Sequence, residues 1–252
     1  MKVAACDFDG TLLRGGEISA ADRAAIDAWR AAGHAFGIVT GRGVATLLMA
    51  MEQYGPVPCD FMICNNGALV CDGQSRELSR MALPEAARTE MFEHPVMQAC
   101  DQCVLFSGPE VYVHADKAPY WIRPENRFPP LSPERARKMP LHQISLRYPD
   151  PVSAEAWAAS LTEAGEGLIE VHLSSICIDV TACHVNKTEG IRRLLRVRQW
   201  DGEVLVVGDD GNDLPMIRDF GGYAVSTATP MVREAAANVV DSVGCMLWEH
   251  MA

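Results

Sequence analysis

Short apolar runs alternate with amphipathic stretches along the first eighty residues. Residues 3–8 are apolar and end in acids and glycine, the pattern of a buried strand running into a loop. From Ser19 the pattern turns helical. Ser19 can cap with Asp22 three residues on, Ile26 and Trp29 continue the stripe, and Gly33 offers a stop. Residues 34–40 predict a second buried strand, 44–54 a helix rich in Leu and Met, and 61–64 a third strand. Strand and helix alternating at this spacing imply a parallel sheet with helices on its faces. Residues 67–78, with Asp72-Gly73 in the middle, predict a hairpin.

The rhythm then breaks. Residues 84–140 carry many prolines and aromatics and no clean alternation of strand and helix. Strands are expected at 144–148, 167–173 and 175–180, with a helix near 153–164, so the middle block reads as a separate α+β module. After it the first theme resumes, with helices at 187–197, 214–220 and 230–237 and strands at 204–208 and 223–225. One domain, 1–82 plus 185–252, is expected to be interrupted by another at 83–184. No internal repeat or low-complexity linker is visible.

Composition narrows the function. The chain has 252 residues, 48% hydrophobic and 22% charged, as in ordinary soluble domains. Its formal net charge is −11, and its densest basic group, Arg192, Arg193, Arg196 and Arg198, reads as one exposed helix face. Nucleic acid is therefore disfavoured as a partner. No apolar run approaches the roughly 20 residues of a membrane span. The opening reaches Asp7 too soon for a secretory signal, so a cytoplasmic protein with no membrane partner is expected. Nine cysteines is an odd number; Cys6, Cys64 and Cys177 sit in apolar runs as reduced core thiols. The pair Cys100 and Cys103 lacks the further ligands of a zinc site and reads as structural.

Four segments carry chemistry, each at a strand end or a helix start, where ligands bind in open parallel sheets. In Asp7-Phe8-Asp9-Gly10-Thr11 the two acids are two residues apart, so both can face a ligand. One carboxylate can attack phosphorus while the other serves as acid and base. A capped turn is the plainer alternative. Thr40-Gly41-Arg42 offers a hydroxyl and a free amide beside a helix N-terminus, a phosphate cradle or simply a cap. In Asn186-Lys187-Thr188 a cation opens a helix against its macrodipole, so helix stability does not account for Lys187. Gly208-Asp209-Asp210-Gly211-Asn212-Asp213 places acids after an apolar strand, suited to a hard cation such as magnesium. An EF-hand loop does not fit, because Ile217 stands where its Glu would be. If Asp7, Asp9, Asp209 and Asp213 share one mouth, their repulsion demands a counter-ion.

These four segments, in this order, resemble the haloacid dehalogenase superfamily, in its Cof-type branch. The matching positions are Asp7 to Thr11, Thr40-Gly41-Arg42, Lys187, and Gly208-Asp209 with Asn212-Asp213. The resemblance implies an α/β fold, a Rossmann-like parallel sheet core with an inserted α+β cap that closes over the mouth and chooses the substrate. It implies Asp7 as nucleophile and Asp9 as general acid and base. Mg2+ would be held by Asp7, the Asp9 carbonyl and Asp209, with Asp213 in support. Phosphate would be held by Thr40, the amides of Phe8 and Gly41, and Lys187, with Asn212 near substrate or cap. Gly211 departs from the pattern, since many relatives carry a bulkier residue there. The cap is rich in Pro and Trp (Trp121, Trp157), and His114, Arg123, Arg147 and His172 are the polar cap residues singled out.

The expected function is therefore a Mg2+-dependent phosphatase acting on a small phosphomonoester, such as a sugar phosphate, through an aspartyl-phosphate. A phosphomutase or phosphotransferase using the same aspartyl-phosphate is an alternative, as is a non-catalytic protein that binds a phosphorylated metabolite. A P-type pump would need membrane-spanning helices. Oligomeric state is not legible from the residues.

Overall fold

The structure is a computed structural model that describes residues 1–117 and 128–251. Its elements in chain order begin with β1 (Val3–Cys6), α1 (Ala20–Ala31), β2 (Ala35–Val39), α2 (Val44–Tyr54), β3 (Phe61–Cys64), β4 (Leu69–Asp72) and β5 (Glu77–Arg80). The middle of the chain supplies α3 (Glu85–Glu93), α4 (Val96–Ala99), β6 (Gln102–Ser107), β7 (Glu110–Asp116) and α5 (Pro133–Lys138). It continues with β8 (Gln143–Arg147), α6 (Pro151–Ala164), β9 (Ile169–Ser174) and β10 (Cys177–Ala182). The last stretch is α7 (Lys187–Arg198), β11 (Val204–Gly208), α8 (Leu214–Phe220), β12 (Tyr223–Val225), α9 (Pro230–Ala235), β13 (Asn238–Val240) and α10 (Val243–Glu249). The fold is α/β, with a parallel sheet core.

Two compact units result, Met1–Ser79 with Lys187–Ala252, and Arg80–Asn186. The first holds a sheet ordered β13-β12-β11-β1-β2-β3-β4-β5. Its neighbours from β13 to β3 run parallel, and β4 turns back antiparallel on β3. The central strands are apolar on both faces because helices cover both, so they read as continuous rather than alternating runs. Ala4, Ala5, Cys6, Ile38, Val206 and Val207 are fully buried there.

Local chemistry sets the boundaries. Ser19 caps α1, its hydroxyl accepting from the Asp22 amide at 3.0 Å. The Asp22 carboxylate is fully buried and accepts from the Gly244 amide at 2.7 Å, which ties the start of α1 to α10. Trp29 donates its indole N–H to the Ala35 carbonyl at 2.9 Å and so fixes α1 against the start of β2.

The second unit has its own core, built on an antiparallel sheet ordered β7-β6-β8-β10-β9. The middle block is more regular than its sequence suggests, because 102–116 form a complete hairpin. Every residue of β6 is buried, which erases the alternation a half-exposed strand would display. Cys100 and Cys103 are buried, unpaired thiols in that core. Trp121 and Arg123 lie outside the described residues.

His142, at the entrance to β8, is fully buried and accepts at Nδ1 from the Gly108 amide at 3.1 Å. Burial, helped by the nearby Arg80 charge, pushes its pKa down to about 3. Between the ordinary value of 6.5 and about 3, the unfolded chain binds a proton that the folded chain refuses. Stability must therefore fall as pH is lowered through that window. Replacing His142→Gln, which keeps an acceptor for Gly108, should flatten this part of the stability–pH profile in urea unfolding. An unchanged slope would show that other groups set it.

Candidate active site

Three adjacent strands deliver the chemistry to one edge of the first sheet. Cys6 at the end of β1 is level with Ile38 of β2 and Val207 of β11. Asp7 follows Cys6 directly, and β2 and β11 each run one residue further, to Val39 and Gly208, before Thr40 and Asp209 leave the sheet beside it at the carboxyl ends of the parallel strands. Strand β1 sits where the order reverses, with β2 on one side and β11 on the other, the position where such sheets bind ligands.

Lys187 organises the centre. It is the first residue of α7 and almost wholly buried, unlike an ordinary surface lysine. Its Nζ donates to Asp7 Oδ1 and to Asp213 Oδ1, each at 2.6 Å. Asp213 Oδ2 accepts in turn from the Asp209 and Asp210 amides at 2.9 and 3.1 Å. Asp210 caps the same turn, accepting from the Gly211 amide at 2.8 Å, and its side chain also accepts from the Asp213 amide while Asp213 accepts from the Asp210 amide, a capping box across this short 3₁₀ turn. Gly208 lets this happen, because a Cβ there would stand 2.4 Å from the Asp213 carboxyl carbon.

Asp209 is fixed separately. Thr11, fully buried, donates its hydroxyl to Asp209 Oδ1 at 2.6 Å. Gly10 has φ +86°, and a Cβ on it would lie 2.2 Å from Asp209 Oδ2. The motif's glycine is thus required twice, for a left-handed backbone and for the approach of the carboxylate.

The ligand atoms of Asp7, Asp209 and Asp213 lie within 4.8 Å of one another. Burial pushes the Asp7 carboxyl well above the usual range, Asp213 and Asp209 add to the rise, and Lys187 opposes it. Asp209 is raised too, by burial first and then by Asp213, against the Thr11 hydrogen bond and Lys187. Burial works against the Lys187 ammonium, yet Asp213 and Asp7 outweigh it and hold the amine charged, its pKa above the usual lysine range. With all three carboxyls ionised, one ammonium would leave two negative charges uncompensated, which adds to burial in weakening the acidity of Asp7 and Asp209 when no further cation is bound. A divalent cation fits that donor set, which is all oxygen and hard. Asp7, Asp209 and Asp213 each offer an oxygen to it, although Lys187 and two amides already engage both oxygens of Asp213.

Asp9 is placed differently. Its carboxylate is outside this cluster and is clasped by Arg42, with Nε to Oδ2 at 2.6 Å and Nη2 to Oδ1 at 2.7 Å. The same guanidinium lies 5.8 Å over the Phe8 ring. The expectation that Asp7 and Asp9 project alike rests on strand periodicity, but β1 ends at Cys6 and the chain is already turning at Gly10. Phe8 is buried, and its carbonyl accepts from the Leu12 and Leu13 amides. Thr40 is buried and its hydroxyl accepts from the Arg42 amide at 3.1 Å, while Gly41 lies between the two, partly exposed.

Asn212 donates to Asn66 Oδ1 at 3.2 Å. Asn65 and Asn66, both buried and both at positive φ just after β3, have a place at this edge that the sequence reading passed over. Their signal was visible, since paired asparagines after an apolar strand suit a left-handed turn. Spacing alone likewise assigns no role to Arg42 or Thr11. Around Gly211 a Cβ would meet nothing within 4 Å, so packing does not forbid a bulkier residue there. Among the second unit's residues, His114 contacts the Leu131 carbonyl and stacks edge-on with Phe92. His172 bridges Thr181 and Val185, Arg147 ends β8, and Trp157 meets His94 edge-on.

Lys187→Met should leave the carboxylates buried without their cation. Breaking one partner from a buried pair costs about 3–5 kcal/mol. Urea unfolding in a chelating buffer should show a loss of that order, and a loss below about 1 kcal/mol would mean the ammonium is not what holds these acids together.

The chain matches the haloacid dehalogenase-like hydrolase family over residues 4–244. It is 37% identical over 76 residues to the 5-amino-6-(5-phospho-D-ribitylamino)uracil phosphatase YbjI of Escherichia coli (strain K12). That match covers 29% of this chain and only 27% of the relative. Its fold is similar to that of the HAD subclass IIB sugar phosphatase BT4131, with a TM-score of 0.82, 22% identity and 99% of each chain covered. TM0651 from Thermotoga maritima superposes with a TM-score of 0.75 at 24% identity, over 98% of this chain and 96% of that one. With almost its whole length matched and its acids gathered at one sheet edge, the chain belongs to the haloacid dehalogenase-like hydrolase family.

Proposed function

We propose that the protein is a Mg2+-dependent phosphatase that hydrolyses a small phosphomonoester, a sugar phosphate or similar metabolite, through an aspartyl-phosphate on Asp7. The observation that carries this reading is the gathering of three carboxyl groups around Lys187, which can all be ionised beside an anionic substrate only with a divalent counter-ion. The phosphatase names of the relatives point the same way. A cytoplasmic setting suits nine free thiols.

When bound, Mg2+ would supply positive charge that draws the phosphoryl oxygens to the carboxylates and stabilises the charge developing on them. Asp7 attacks phosphorus through a carboxylate oxygen, forming an acyl phosphate as the ester P–O bond breaks. Asp9 gives its proton to the departing oxygen. In the second half Asp9 takes a proton from water, the water oxygen bonds to phosphorus, and the bond to Asp7 breaks, returning the carboxylate and free phosphate. Thr40, the amides of Phe8 and Gly41, and Lys187 hold the phosphoryl group, with Asn212 nearby. The Arg42 clasp must open for Asp9 to reach the leaving oxygen.

Asp7→Asn should remain folded and lose at least about a thousandfold in kcat/KM on an aryl phosphate, as expected for a nucleophile. Full activity in that variant would remove Asp7 from the mechanism. Chelation should abolish turnover reversibly, and phosphate release that persists in chelator would remove the cation. On sugar phosphates, accumulation of an isomeric ester in place of free phosphate would make the protein a mutase.

A further inference from the structure

A second group of metal-competent side chains lies far from the acids just described in both chemistry and sequence. Glu170 of β9, Cys183 and His184 place a carboxylate oxygen, a thiol sulfur and an imidazole nitrogen within 4.8 Å of one another. We propose that these three residues form a binding site for a thiophilic divalent cation, of which Zn2+ is the type, independent of the catalytic reading.

The hairpin topology makes the cluster. Strands β9 and β10 pair antiparallel with Glu170 opposite Thr181 and Ile169 opposite Ala182. Glu170 is therefore at the open end of the hairpin, where β10 leaves the sheet through Cys183 and His184. The departing chain is held by several bonds. The Cys183 amide donates to the Leu168 carbonyl and the Val185 amide to the Ala182 carbonyl, each at 3.1 Å. The Thr181 hydroxyl donates to the Val185 carbonyl at 3.0 Å, and His172 Nε2 lies 3.1 Å from the same oxygen. Within this turn His184 takes φ +63°, a left-handed conformation uncommon outside glycine. Its amide donates to Glu170 Oε2 at 3.2 Å, so the backbone of one ligand aims the carboxylate of another. Such orientation of a ligand by its neighbours is what tunes metal sites.

The donor set selects the ion. Sulfur, nitrogen and oxygen together suit Zn2+ and its borderline neighbours, while Mg2+ and Ca2+ take oxygen alone. Zinc bonds of about 2.0–2.3 Å put tetrahedral ligands roughly 3.4–3.6 Å apart. Side chains already within 4.8 Å would reach that spacing by rotamer adjustment, Glu170 and Cys183 being half-exposed and His184 exposed, with the Cys183 proton released to solvent on binding. Solvent supplies the fourth ligand. The ion would staple the end of β10 to β9, four residues before Lys187 in the chain.

The test uses the full-length protein with Mg2+ saturating the oxygen site and Co2+ as a spectroscopic probe. One equivalent of Co2+ should give a thiolate-to-cobalt charge-transfer band that Zn2+ bleaches. Cys183→Ser should abolish the band, while Cys245→Ser, which removes an exposed thiol elsewhere, should keep it. His184→Gln should weaken Zn2+ binding at least about tenfold, since even the loss of an outer partner costs that much. No band in the unaltered protein, or a band undiminished in Cys183→Ser, would overturn the site. If Cys183→Ser fails to fold, undiminished Zn2+ affinity in His184→Gln, an exposed position, overturns it equally. Phosphatase activity enters none of these readouts, so failure of the catalytic proposal would leave the result intact.

Discussion

The first unit is organised around one buried ammonium. Lys187 binds Asp7, 180 residues away, and Asp213, 26 residues away, and so joins the end of β1, the turn after β11 and the start of α7. Taking these charges from water costs several kcal/mol per ion, which their mutual attraction offsets only when geometry and hydrogen bonding are both right. The surrounding loop meets that condition. Asp213 has both oxygens occupied, Gly208 leaves room for its carboxyl, and Thr11 holds Asp209 in place. What the loop does not supply is enough positive charge for all three carboxyls to ionise. The acidic cluster is compatible with a bound divalent cation, and the family to which the chain belongs gives that a chemical context.

The parallel sheet is what makes so tight a cluster possible. Neighbouring parallel strands end within one residue of the same level, so the residues just past β1, β2 and β11 emerge together although they are far apart in the chain. The middle block does not disturb this register, because its hydrophobic residues form a core of their own. A chain can therefore leave the first unit after Ser79 and return at Lys187 with the edge of the sheet intact. The returning residue is itself the lysine that the acids require.

Much of this was legible from hydrophobic pattern alone. The residues expected as α2, β3, β11, α8 and β12 are those observed, because each is an apolar run bounded by a glycine, proline or polar turn. Strand β6 is hidden by its complete burial, and β13, no shorter than β12, by its exposed edge position, where Asn238 and Val239 face solvent and leave no apolar run. Helix α9 stops at Ala235, earlier than its pattern suggests, because 238–240 pair with β12. At the site, the acids and the lysine could be picked out because such residues are anomalous after apolar strands. Their partners could not. That Arg42 would clasp Asp9, or that Asn66 would meet Asn212, depends on the turn at Gly10 and the left-handed backbone after β3, which no spacing rule encodes.

The two halves of the acid pair differ in a way that matches what each would have to do. The Asp7–Lys187 contact is buried, and breaking it would strand a charge in a poorly solvated place. The Asp9–Arg42 contact is half-exposed, and ion pairs in that setting are worth about 0–1 kcal/mol. Opening it is cheap. A nucleophile gains from being fixed, because a misplaced attacking atom loses the advantage of orientation. An acid that becomes a base within one cycle must instead exchange partners. On the roles proposed for them, holding Asp7 by a costly bond and Asp9 by a weak one would fix the attacking group and leave the proton carrier free to exchange partners.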